Sequence, residues 1–83
     1  MNTQFESSIR GYMILRNIKN LESIREHTSI RSNTTFLKKW KYPETFTAEE
    51  LWDMFNYLNI PYEERLKIMG HLWGKQWSIT ISS

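Results

Sequence analysis

The 83-residue sequence predicts an all-α domain of five short helices, with at most a short β-strand at its C-terminal end. Three observations carry this. Apolar residues recur at spacings of three and four along most of the chain. Three good N-cap residues, Asn20, Ser32 and Thr47, stand ahead of such stretches. Gly and Pro number only 3 and 2, fewer than a many-turned β architecture needs. The length fits one domain over residues 1–83, with a core at about 5–74 and a tail at 75–83.

The first helix is expected from Ser7 or Ser8 to Ile18. Its broad apolar face holds Ile9, Tyr12, Met13, Ile14, Leu15 and Ile18, with Phe5 packing just ahead of it. The second spans about Leu21 to His27, with Asn20 as N-cap and Glu22 in the first turn, where the helix dipole favours an anion. Ile30 is the one apolar residue of the polar stretch that follows, placed to plug that connection into the core. The third helix runs from about Asn33 to Lys41 behind Ser32. Phe36, Leu37 and Trp40 fall on one side at about 100° per residue, and Thr34, Thr35 and Lys38 on the other. Pro43 ends it, because the residue before a proline avoids the helical region.

The fourth helix opens on Thr47-Ala48-Glu49-Glu50, a capping box, with Phe46 and Leu51 placed for a hydrophobic staple. Leu51, Met54, Phe55 and Leu58 form its buried stripe, and Asn59-Ile60-Pro61 stops it. Pro61 then suits the first position of a fifth helix ending near Gly70 or Gly74. In the tail Trp77, Ile79 and Ile81 alternate with Ser78, Thr80 and Ser82, a period of two that predicts a strand.

Four Trp, four Tyr and four Phe supply one small core, and the absence of Cys excludes disulfides, thiol chemistry and Cys-ligated zinc. No apolar run approaches the roughly 20 residues of a membrane span. The N-terminus lacks a signal-peptide pattern, so a cytoplasmic protein is expected. The net charge of +2 conceals an asymmetry. Residues 1–41 hold eight Lys/Arg against three Glu, and residues 42–83 hold three against six Asp/Glu. A basic half beside an acidic half points to a face turned toward a polyanion.

Helix two, a short turn and a third helix with a polar outer side make a helix-turn-helix. The stretch from Asn20 through Leu21, Ile24, Thr28 and Ile30 continues into Thr35-Phe36-Leu37-Lys38-Lys39. It then runs through Pro43, Phe46, Thr47, Glu50 and Leu51 to Leu58-Asn59-Ile60. In that order these residues resemble the lambda-repressor-like helix-turn-helix proteins of phages and mobile elements, the small Cro and repressor type. The resemblance covers roughly residues 8–70. It departs where the family's turn glycine is Ser29 and its small mid-helix residue is Arg25, and the turn is about one residue longer.

The resemblance implies a sequence-specific DNA-binding regulator. A helix in the major groove reads base edges near its N-terminus, which assigns base contacts to Thr34, Thr35 and Lys38. Their hydroxyls, methyls and ammonium match base edges in type. Arg31, Lys39 and Lys41 suit phosphate contacts, for which flexible cations are tolerant in geometry. Asn20, at a helix N-terminus, joins them. The implied partner is double-stranded DNA at a palindromic operator, bound by a homodimer. Trp77, Ile79 and Ile81 are the expected dimer interface, through antiparallel pairing of the terminal strand.

A second class of function is a protein-binding module on the same fold, such as a phage-encoded inhibitor of a host or defence protein. Glu49, Asp53, Glu63 and Glu64 beside Trp52 and Trp73 would form its surface. Enzymatic chemistry is not expected. His27 and His71 stand far apart in sequence, and no Gly-rich phosphate loop or nucleophile–base pair is present. No cofactor, metal, small-molecule substrate or membrane association is expected either.

Overall fold

The structure, a computed structural model, describes the backbone of residues 3–82 and the side chains of residues 4–74. Its elements in order are α1 (Thr3–Leu15), α2 (Leu21–Glu26), α3 (Asn33–Lys41), a 3₁₀ turn (Pro43–Thr45), α4 (Ala48–Leu58) and α5 (Tyr62–Ser82). The predicted all-α character holds.

Phe5, Ile9 and Met13 form the buried stripe of α1, at i, i+4 and i+8. The stripe begins at Phe5, so the helix starts a turn earlier than the expected Ser7. It closes at Leu15, short of Ile18, because Asn17 turns into the left-handed region at φ 60. There Ile18 N–H donates to Met13 O at 2.8 Å and Asn17 N–H to Ile14 O at 3.1 Å. These two bonds define a Schellman stop, whose left-handed position is usually Gly and sometimes Asn. The broad apolar face expected of α1 is narrower in fact, since Ile14 is 82% and Leu15 65% exposed.

The same stop ends α4. Asn59 takes φ 52, and its N–H and that of Ile60 donate to Asn56 O and Phe55 O. Two arginines complete the junction. Arg16 donates from Nε to Leu58 O at 2.9 Å and from a terminal nitrogen to Asn59 O at 3.0 Å. Arg65 donates to Ile60 O at 2.7 Å and to Asn56 Oδ1 at 2.9 Å. Cations at a helix C-terminus also meet the negative end of its dipole. Ends of α1, α4 and α5 are thereby fixed to one another.

The core gathers Phe5, Ile9 and Met13 with Ile24, Ile30, Phe36, Phe46, the α4 stripe, Ile60, Ile68 and Met69, and holds no buried polar residue among those described. An aromatic cluster stands at its centre. The Phe5 ring lies 5.5 Å from Trp40 and 6.0 Å from Phe46, and Phe36 lies 5.8 Å from Phe46.

The tail departs from expectation. Where the alternation of Trp77, Ile79 and Ile81 predicts a strand, α5 continues to Ser82, and no strand occurs among the described residues. A lone strand leaves its N–H and C=O groups unpaired, whereas a helix closes them within itself. The strand-paired dimer therefore loses its basis, and the side chains of Trp77, Ile79 and Ile81 lie outside the described residues. The helix is interrupted at Gly74, whose φ of 69 and ψ of −155 suit only glycine. No helix among the described residues is long and apolar enough to cross a membrane.

Candidate nucleic-acid interface

Helix α3 is held at both ends by local chemistry. At its start the Ser32 hydroxyl accepts from Thr35 N–H at 3.3 Å. At its end Tyr42 N–H returns to Lys38 O, and Pro43, the first residue of the 3₁₀ turn, is buried. The α2 start matches expectation too, with Asn20 Oδ1 accepting from Ser23 N–H and Ser23 Oγ, each at 3.0 Å. That oxygen is committed to capping.

Residues 27–32 join α2 to α3, longer than the three or four residues usual in a helix-turn-helix. Arg25 holds this longer connection. Its guanidinium donates to Ile30 O at 3.3 Å and Arg31 O at 3.0 Å, and approaches Glu22 at 3.8 Å. Thr28 Oγ1 donates to Arg25 O at 2.7 Å and accepts from Ile30 N–H at 3.2 Å. Ile30, as expected, is buried.

A second tie escaped the sequence reading. The His27 ring stacks on Tyr57 with centroids 3.7 Å apart and planes at 12°. His27 Nδ1 lies 2.8 Å from Ser23 O. A carbonyl only accepts, so this nitrogen carries the proton. The contact anchors the end of α2 on α4. The i, i+4 spacing of Ser23 and His27 was the only hint in the sequence.

On α3 itself Phe36 is fully buried, and Trp40 packs against the core with Arg10 over its ring at 5.6 Å. Leu37, expected beside them, is 45% exposed. Thr34, Thr35, Lys38 and Arg31 are exposed, and the side chains of Lys38 and Arg31 have no partner among the described residues. Lys41 is exposed with its ammonium 5.8 Å from the Tyr42 ring.

Lys39 has a different place. Its Nζ donates to both carboxylate oxygens of Glu50, at 2.7 and 3.0 Å, and only 22% of its side chain is exposed. The structure sets this lysine apart from the other candidate phosphate contacts. Glu50 belongs at the same time to the predicted capping box, in which Thr47 N–H donates to Glu50 Oε1 at 2.9 Å and Glu50 N–H to Thr47 Oγ1 at 3.1 Å. Burial raises the Glu50 pKa, but the bonds from Lys39 and Thr47 together lower it further, leaving it below the ordinary value of 4.5.

These bonds place Thr34, Thr35, Lys38 and Arg31 around the start and outer side of one short helix. Hydroxyls and mobile cations in that arrangement have the donors and acceptors that base edges and phosphates require. No protein-family model, curated protein or solved structure matches this chain.

Proposed function

We propose that this protein binds duplex DNA through the outer face of α3, as a Cro- or repressor-like regulator of a phage or mobile element. One observation carries the reading. The inner face of α3 is fastened by Phe36, Trp40 and the Lys39–Glu50 pair, while Thr34, Thr35, Lys38 and Arg31 are left to solvent. A recognition helix needs that division, since a rigid base positions side chains that stay available for base edges. Thr34, Thr35 and Lys38 take the base contacts, and Arg31 and Lys41 the phosphates. Asn20 contributes through the start of α2.

One short helix spans few base pairs, so specificity requires two copies on a palindromic site. Selection from a random-sequence duplex pool, followed by mobility shift across a salt series, tests this. A palindromic consensus is expected, with affinity falling steeply as salt rises. A pool that shows no enrichment at low salt would refute the reading.

A further inference from the structure

We propose that the groove between α4 and the start of α5 is a docking site for a peptide segment of a partner protein. The segment carries one bulky apolar side chain flanked by Lys or Arg. The groove has a volume of about 570 Å³. Trp52, Leu66, Met69 and Tyr62 give it an apolar lining, and Glu49 and Asp53 stand beside them.

Two features define the occupant. The first is a fixed aromatic platform. The Trp52 ring meets Phe55 and Tyr62 edge-on, with centroids at 6.1 and 6.2 Å, and carries the Arg65 guanidinium 4.7 Å from its centroid. Held by three neighbours, it loses little freedom when a ligand packs on it, as suits an interface anchor. Tyr62 is 61% exposed at its edge, a large aromatic surface given to solvent.

The second feature is charge. Neither Glu49 nor Asp53 has an ion-pair partner among the described residues; Glu26, Glu44 and Glu63 also have none, whereas Glu6, Glu22, Glu50 and Glu64 each have one. The nearby cation Arg65 donates to the carbonyls of Ile60 and Phe55 and to Asn56, and makes no ion pair with either carboxylate among the described residues. An apolar floor beside two unmatched carboxylates complements a basic segment with an apolar anchor and repels nucleic acid. The groove and the α3 face thus select partners of opposite charge. This inference stands without the DNA reading.

A display library of random nine-residue peptides panned on the full chain tests it. The expected consensus is a Trp, Phe, Leu or Met flanked by Lys or Arg. Selected peptides should shift the Trp52 indole resonance and lose about tenfold in affinity for the Glu49→Lys, Asp53→Lys double variant, roughly the loss of two surface charge pairs. Should that variant not fold, Glu49→Gln with Asp53→Asn should show a smaller loss in the same direction. Four results would overturn the proposal. They are no enrichment, enriched peptides that are acidic or indifferent to these substitutions, and shifts confined to residues outside the groove. The fourth is a Trp52 resonance that moves with protein concentration alone, which would make a second copy the occupant.

Discussion

Lys38 and Lys39 are adjacent, chemically identical, and placed in different surroundings by the fold. Lys39 points back to Glu50 and joins α3 to the start of α4. Lys38, about 100° further round the helix, is exposed, with no side-chain partner among the described residues. The same division runs along the helix, with Phe36 and Trp40 inward and Thr34 and Thr35 outward. It extends to the whole basic half. Arg16 fastens the end of α4, Arg25 clamps the connection before α3, and Arg10 pairs with Glu6 and covers Trp40. A surplus of positive charge in the sequence is therefore not a positive face. Much of it holds the fold together, and the remainder marks where a polyanion can be met.

The contrast between faces can be broken most forcefully at Phe36. Phe36→Ala should cost about 3–5 kcal/mol of stability, and Leu37→Ala, one residue away and half exposed, well under about 1.5 kcal/mol. Urea unfolding of both variants measures this, and equal losses would show the faces to be wrongly divided.

A smaller effect is expected at the α3–α4 junction. Glu50→Ala removes half of the capping box and the Lys39 pair together, and should cost about 1–2 kcal/mol. Because the folded-state pKa of Glu50 lies below its ordinary value, this contribution is present above about pH 4.5 and is lost as pH falls through the folded value. The stability difference between parent and Glu50→Ala should therefore shrink in acid. A difference that stays constant down to pH 2 would contradict the pairing. On the outer face, Thr34→Ala and Thr35→Ala should move the unfolding midpoint hardly at all, by about 0.5 kcal/mol or less. Thermal scans of both check that these side chains carry no structural duty.

The helices were legible where local chemistry alone decides them. The caps at Asn20, Ser32 and Thr47 and the stop at Pro43 depend on neighbours within a few residues, and each occurs as read. Long-range partners were not legible. The exposure of Ile14 and Leu15 follows from which helices cover α1, and periodicity says nothing of that. The hold of Glu50 on Lys39 spans eleven residues, and that of Arg16 on the end of α4 spans more than forty. The tail failed for a related reason. Alternation at Trp77–Ile81 is compatible with a strand only if a second strand exists to receive it, and none does among the described residues.

The most direct test of the account compares Lys38→Ala with Lys39→Ala on the selected duplex, reading affinity and unfolding midpoint for each. Lys38→Ala should leave the midpoint within about 0.5 kcal/mol of the parent. It should weaken binding by about 1–3 kcal/mol and relax specificity at one position. Lys39→Ala should lower stability and, at temperatures where the variant is folded, leave the salt dependence of binding as in the parent. The opposite pattern would contradict the account, with Lys38→Ala binding every duplex like the parent while Lys39→Ala flattens the salt dependence without loss of stability.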